Sequence, residues 1–377
     1  MMANPKNVLV AMSGFKGSLT NIEACQCVAS ALKDLNLAHS IVPIGDGGKG
    51  TGLALNLALG GEFHSIDSID PLGRPISGTL LCFPNSKSPS RIYIESSSVC
   101  GYTLIKEEEK NALRASSRGL GIMLRESILR WKHSLQEIWI GLGDSAISDM
   151  GMGMLSELGV HFLNSKQEPI PATTDHLVHI NAFSPPSLHL NSISLTVLCD
   201  VSNPVCGPQG SAVTFSPQKG ATPEQVALIA RGMENFATRI ENKLHRSLKY
   251  IPMTGSAGGL SAALFSFFNA KLVPGCEFLL SEIGFDEKIS QHDWVVTGEG
   301  RTDAQTLKGK APAVVFEHSR KQNKQCLFIS GSLGEGLDPI SKEGGMVGVY
   351  ACGREPSAKE ALTRKTREVF SQFKSSF

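Results

Sequence analysis

Two stretches of this sequence concentrate carboxylates where catalysis could use them. In Cys199-Asp200-Val201-Ser202-Asn203-Pro204 an acid follows an apolar run, Ser194 to Cys199, with a proline-bearing turn behind it. In Thr297-Gly298-Glu299-Gly300-Arg301-Thr302-Asp303 two acids and an arginine follow another apolar run, Asp293 to Thr297. Acids at the mouths of two strands can hold Mg²⁺ through oxygen or take a proton from a hydroxyl. Arg301 could steady a carboxylate or phosphate through both arms of its guanidinium. The same residues also fit salt-bridged loops without chemistry.

Glycine loops form the second set. Gly45-Asp46-Gly47-Gly48-Lys49-Gly50-Thr51 carries four glycines in seven residues, between a strand-like run and a helical one. Backbone N–H groups there can approach an anion, and a helix N-terminus favours negative charge. It is not a Walker loop, because the G-x-x-x-x-G-K-[ST] spacing is absent. A glycine turn serving only chain reversal is the competing reading. Lys16-Gly17-Ser18 is a weaker signal, since a lone lysine after a strand is ordinarily solvated. Gly141 to Gly153 is a third passage, in which Asp149 is placed to cap the following helix. Gly255-Ser256-Ala257-Gly258-Gly259 is a fourth, where small residues would equally allow close helix packing. His176 and His179 stand three apart with no third ligand pattern nearby, which argues against zinc. A Ser–His–Asp hydrolase is unsupported, because no G-x-S-x-G elbow occurs.

The elements that must position these loops alternate. Asn7 to Met12 leads through Ser13 to Ser18 into a helix from about 21 to 36. Ser40 to Ile44 leads through the lysine-bearing glycine loop into a helix ending at Gly60-Gly61. Strands that empty into glycine loops before helices mark the ligand-binding edge of a parallel sheet. From the turn Asp70-Pro71-Leu72-Gly73 the rhythm changes, with strands at Ile76 to Cys82 and Arg91 to Ser96. A helix from about 112 to 130, a strand at Glu137 to Ile140, a helix at Met152 to Leu158 and the strand at Ser194 to Cys199 follow. A long helix runs from Pro223 to Leu244, with Thr222 as N-cap and Pro223 at its first position. The α/β rhythm returns with Asp293 to Thr297, a helix from about 311 to 321, Gln325 to Ser330, Met346 to Cys352 and a last helix from Pro356 to Phe373. The expected fold class is α/β: a doubly wound domain built from both chain ends, residues 1–70 and 275–377, around an inserted α/β domain, 71–274.

Length and charge narrow the function. A chain of 377 residues has room for two domains and a sizeable core. Its 36 Lys plus Arg against 35 Asp plus Glu leave a formal charge of +1, which offers no footprint for nucleic acid. No stretch approaches 18 uninterrupted apolar residues and the N-terminus has no export signal, so a soluble, unexported protein without a membrane partner is expected. The nine cysteines are scattered and never spaced C-x-x-C, in keeping with reduced thiols in a cytoplasm.

Read in order, the loops resemble the glycerate kinase family, which makes 2-phosphoglycerate from D-glycerate and ATP. The resemblance rests on FKGSL (Phe15 to Leu19), DGGKGT (Asp46 to Thr51), DPLGRP (Asp70 to Pro75), GDSAISDMGMGML (Gly143 to Leu155), CDVSNPVCGPQG (Cys199 to Gly210), FSPQKGAT (Phe215 to Thr222), GSAGGL (Gly255 to Leu260) and TGEGRTDAQTLKGKAP (Thr297 to Pro312), nearly the whole chain. It implies a flavodoxin-like domain from both chain ends, an inserted α/β domain, an active site in the cleft, and a cytoplasmic enzyme that uses ATP and Mg²⁺ on a small hydroxy acid. It places Ser18, Asp46, Gly47, Gly48, Lys49, Gly50 and Thr51 at the nucleotide, and Asp46 and Glu299 at the metal. It places Asn203, Lys219, Ser145 and Asp149 at the substrate. Asp200 would be the base at the C2 hydroxyl, with Asp303 as the alternative. Phosphoryl transfer needs mostly positioning and charge neutralisation, which Lys16, Lys219 and Arg301 would supply.

The chain also departs from that family's pattern. Where the family typically reads A-P-D-S-F-K-G-S, an acid is replaced by Ser13. Where it reads D-G-G-E-G-T, Lys49 replaces the glutamate. The block usually reading G-G-S-A-T-N-D-G-G has Asp144, Ile147, Ser148 and Met150 here. Two unit charges about 4 Å apart interact by roughly 4 kcal/mol at an effective dielectric near 20, enough to decide activity. A non-catalytic paralogue with a binding or regulatory role, and a kinase of a related 2-hydroxy acid, are the alternatives these departures raise.

Overall fold

The computed structural model describes residues 6–188, 190, 192–337 and 345–374. The chain falls into two compact units: residues 1–46, 53–59 and 276–377 form the first, and 47–52 with 60–275 form the second.

The first unit carries five parallel strands in the order Met346–Ala351, Gln325–Ser330, Trp294–Gly298, Asn7–Met12, Ala38–Ile41. In chain order this is 2-1-3-4-5, the flavodoxin arrangement, and the order reverses between Asn7–Met12 and Trp294–Gly298. Open α/β sheets bind ligands outside the carboxyl ends of the strands at that reversal. The central strands read as nearly continuous apolar runs because helices cover the sheet: Val8, Val10, Trp294, Val296, Leu327 and Ile329 are buried with Val28, Leu32 and Phe370 of the flanking helices. Helix Asn21–Asp34 starts where Thr20 and Glu23 cap each other's backbone reciprocally. The strand expected at 40–44 ends as a ladder at Ile41. Its N–H bonds still run on from Val42 to Val10 and from Ile44 to Met12, on either side of Pro43, which has no N–H to give.

Gly298 shows how tightly this edge is built. A Cβ there would lie 1.9 Å from the Ile329 carbonyl oxygen of the neighbouring strand, and backbone cannot swing aside. Gly298→Ala is expected to lower stability by about 3 kcal/mol or more, read as a large drop in melting temperature; a melting temperature within a degree or so of wild type would contradict this packing.

The second unit carries six strands in the order Lys271–Pro274, Ser194–Cys199, Glu137–Gly141, Arg91–Glu95, Pro75–Phe83, Glu62–Ile69. The first four are parallel and the last two join antiparallel. Glu62–Ile69, which the sequence reading left with the first domain and gave no strand, therefore hydrogen-bonds into the second sheet. Helix Arg118–Arg130 starts later than the expected 112, after turns. Helix Pro223–Leu244 starts as expected, with Thr222 as cap in a box with Gln225. The DPLGRP stretch is a brace: Asp70 accepts the N–H groups of Leu72 and Arg74 at 2.8 and 2.9 Å and the Arg74 Nε at 2.5 Å. All nine cysteines are buried free thiols. Among the described residues no helix is long and apolar enough to cross a membrane.

Candidate active site

At the reversal point of the first sheet, Met12 stands opposite Gly298 in register, and the next residue, Ser13, donates its N–H to the Gly298 carbonyl at 3.0 Å. Glu299 follows Gly298 directly. Its carboxylate accepts from Thr306 Oγ1 at 2.6 Å. Burial pushes its pKa up; Thr306 and Lys310 oppose this, while the charges of Asp303 and Asp46 push further upward. Asp46, Glu299 and Asp303 thus share one acidic field. Arg301 Nε lies 3.3 Å from Asp303 Oδ2, and Asp303 Oδ1 accepts the Gln305 N–H at 2.9 Å. The loop is held by its neighbour after Gln325–Ser330: Gly331 and Ser332 donate to the carbonyls of Glu299 and Gly300, and Thr302 and Ser330 hydroxyls meet at 2.7 Å. Lys16 and Ser18 are exposed, on a turn in which the Ser18 N–H and hydroxyl both donate to the carbonyl of buried Phe15. Thr306, Lys310 and Ser330 were not singled out from the sequence.

Among the described residues no group of three or more His, Cys, Asp or Glu is arranged to hold a metal ion. Mg²⁺ in phosphoryl-transfer sites needs less, usually one or two carboxylates completed by phosphate oxygens and water. Asp46 and Glu299 are compatible with that use: burial is the main cause of the raised Glu299 pKa, and the charges of Asp303 and Asp46, which add to it, are what a cation would offset.

The glycine loop belongs, from Gly47 to Gly52, to the second unit, and its N–H groups are already engaged there. Gly50 and Gly52 donate to the Glu95 carboxylate at 3.0 and 3.2 Å, Gly47 to Thr51 Oγ1 at 3.1 Å, Lys49 to Asp144 Oδ2 at 3.2 Å, and Thr51 to the Gly48 carbonyl at 3.2 Å. The phosphate cradle expected of Gly47, Lys49, Gly50 and Thr51 is therefore occupied by an internal carboxylate and local acceptors. Glu95 ends the strand Arg91–Glu95 and is opposite Gly141, so the loop lies on the carboxyl edge of the second sheet. Burial pushes the Glu95 pKa up, and the Gly52 and Gly50 N–H groups pull against it. The Lys49 side chain is exposed. Glu95→Ala should loosen the loop by about 1–3 kcal/mol, since it strands two N–H groups. The readout is faster amide exchange at Gly50 and Gly52; unchanged exchange at both would contradict the assignment.

Beyond the same edge, the loops after Glu137–Gly141 and Ser194–Cys199 surround a buried lysine. Lys219 is only 5% exposed; its Nζ donates to the Ile147 carbonyl at 2.6 Å and to Ser145 Oγ at 3.3 Å. Burial lowers its pKa to about 8, against the opposing pull of Asp200, Asp149 and Cys100. Asp200 is exposed, immediately after Cys199. The carbonyl that Lys219 grips is backed by Gly258, whose φ is +68° and where a Cβ would lie 2.1 Å from Ile147 O. Asn203 donates to Gln209 O at 2.8 Å and its carbonyl accepts from Gly255 N–H, which fixes the turn after Asp200.

Asp149 has a different place from the substrate-binding one expected. It is fully buried and accepts from Ser117 N and Oγ at 2.7 Å, Ser116 Oγ at 3.4 Å, and Gly151 and Gly153 N at 3.1 Å. These bonds tie the start of helix Met152–Glu157 to that of helix Arg118–Arg130, a structural use of the carboxylate. Asp144, not chosen from the sequence, accepts from Tyr102 OH at 3.0 Å as well as from the Lys49 N–H.

A flavodoxin-ordered parallel sheet in one unit and a second, mixed sheet in the other define an α/β protein of two units, with acids and cations on the loops beyond the carboxyl edge of each sheet. The sequence model of the Glycerate kinase family matches residues 8–376, and the chain belongs to that family of kinases. It is 32% identical over 341 residues to a protein named glycerate kinase from Halalkalibacterium halodurans, covering 89% of this chain and 88% of that one. It is 29% identical to glycerate 2-kinase of Escherichia coli K12, with 89% and 88% covered. A solved structure from Salmonella typhimurium LT2, provisionally named glycerate kinase 2, superposes with a TM-score of 0.80 at 27% identity, covering 99% of both chains.

Proposed function

We propose that the protein transfers the γ-phosphoryl group of ATP to the C2 hydroxyl of D-glycerate, giving 2-phosphoglycerate and ADP, with Mg²⁺ as cofactor. The observation that carries this reading is the buried Lys219 ammonium beside Ser145, in the electrostatic field of Asp200. Lys219 and Ser145 hold the substrate carboxylate, and the rigid turn at Asn203 presents Asp200 to the hydroxyl. Asp200 takes the hydroxyl proton as the new O–P bond forms and the bond from phosphorus to the ADP oxygen breaks. Asp303 is the alternative base, but its bond to Gln305 and pairing with Arg301 suit it better to positioning. Mg²⁺, held by Asp46 and Glu299, would neutralise charge on the phosphates. Lys16, Arg301 and the exposed Lys49 ammonium add positive charge for the same oxygens, with Ser18 closing the Lys16 turn. On this reading the two units are the two domains of the enzyme, and the buried thiols suit a reducing cytoplasm.

Neither Ser13 nor Lys49 is among the residues proposed to hold the hydroxy acid; both belong to the phosphate and metal side of the proposed reaction, so turnover itself measures their effect. The reading is tested by steady-state phosphorylation across D-glycerate, L-glycerate and other 2-hydroxy acids. D-Glycerate should give the highest kcat/KM. A better substrate elsewhere in the panel would move the assignment to that acid, and ATP binding without turnover of any acid would replace it with a binding role.

A further inference from the structure

The two histidines spaced three apart are not used by the proposed reaction, and in the second unit they line a cavity of ≈ 480 Å³. That volume is within the usual range for small-ligand pockets. Its walls come from the segment after Phe162–Leu163, the turn Thr174–His179 and the middle of helix Pro223–Leu244, and none of its lining residues belongs to the loops of the candidate active site. Lys166, His176, His179, Asn235 and Arg239 face it, with Glu168 as the one acid among them. Glu168 accepts from Asn164 at 2.9 Å, and Asp175 holds His176 Nδ1 at 3.0 Å, so the acids nearby have partners. Asn235 is fixed by donating to the carbonyls of Leu177 and Ile180 at 3.0 and 2.8 Å.

Arg239 adds a guanidinium to this wall. Its Nε is shut off from solvent and out of a ligand's reach, so a ligand would meet the part of the side chain that lines the cavity, beside Lys166 and the two imidazoles. We propose that this pocket is a second binding site, separate from the active site, for a small oxyanion: a phosphate ester or a polycarboxylate that accepts from Arg239, with Lys166 at the rim and the two imidazoles alongside. Arginine suits this chemistry because its planar fork matches oxyanion geometry.

Side-chain ¹⁵N spectra of the histidines test it, because His176 and His179 report on this pocket and not on anion binding elsewhere. Inorganic phosphate and malonate are titrated separately. Saturable movement of both ring signals is expected with at least one of them; phosphate alone assigns a phosphoryl ligand and malonate alone a carboxylate ligand. Arg239→Gln should weaken the response about tenfold, the size of one charge-assisted hydrogen bond. Lys166→Ala, at an exposed position that cannot disturb the fold, should weaken it in the same direction. Signals that do not move or do not saturate with either anion overturn the proposal, as does a response unchanged in both variants.

Discussion

Lys219→Met should lower kcat/KM for D-glycerate by about a thousandfold, because a charge contact near 4 Å is worth roughly 4 kcal/mol at an effective dielectric near 20 and each 1.36 kcal/mol is tenfold. Methionine fills the buried space but gives the Ile147 carbonyl no donor, so a melting temperature measured alongside separates lost folding from lost charge. The wild-type pH dependence gives a sharper check, because activity and stability should move in opposite directions. The native pKa is about 8, against an ordinary value of 10.5. Between those values the unfolded chain holds a proton that the native chain has released, so the Lys219 contribution to stability rises with pH across that window. Below about pH 8 both states are protonated and the cost of burying the ammonium is fully present. Activity needs the charged form, so kcat/KM should fall about tenfold per pH unit above the native pKa. A kcat/KM that stays flat toward pH 10.5 would contradict a role for the Lys219 charge in binding substrate.

Asp200→Asn is expected to lower kcat by about 10²- to 10⁴-fold, the usual contribution of a general base, while leaving nucleotide affinity unchanged. The residue is exposed, so the isosteric change should fold normally. It should also move the alkaline limb of the wild-type profile to lower pH, because the Asp200 charge is the first of the neighbours that hold the Lys219 pKa up. Asp303→Asn serves as the control. If Asp303→Asn abolishes turnover and Asp200→Asn does not, the base is Asp303.

The two departures from the family pattern acquire a local meaning. Asp144 stands where the resembled pattern reads glycine, and its carboxylate receives the Lys49 N–H. Asp144 adopts φ +60°, a left-handed conformation that glycine takes freely and aspartate tolerates. The contact uses the backbone of Lys49 and not its ammonium, so it does not depend on which side chain stands at position 49. Ser13 is different: an acid there would follow the strand opposite Glu299, in a field that Asp46 and Asp303 already make negative.

What the sequence disclosed depended on how local each signal was. Asn7–Met12, Ser194–Cys199 and Gln325–Ser330 were legible because buried parallel strands are mostly apolar runs that end in loop-forming residues, Ser13-Gly14, Asp200 to Pro204 and Gly331. Glu62–Ile69 escaped because it is an edge strand with only Ile66 and Ser68 buried, so its alternation is faint. Glu95 escaped because its partners, Gly50 and Gly52, are more than forty residues away, and no local pattern marks a carboxylate that will satisfy a distant glycine loop. Lys219 was reached only through the family resemblance, since a lysine between glutamine and glycine ordinarily reads as solvated. Asp149 was expected as the N-cap of the helix that follows; that cap is Gly151, and Asp149 instead accepts from Gly151 and Gly153 at the helix start and from Ser116 and Ser117 outside it.

The central assignment is tested most directly by ³¹P NMR of the purified protein with D-glycerate, ATP and Mg²⁺. The expected result is a growing phosphate-ester signal, coupled to the single C2 proton of 2-phosphoglycerate, in step with ADP. A signal coupled to the two C3 protons of 3-phosphoglycerate, or bound ATP with no ester formed, would contradict it.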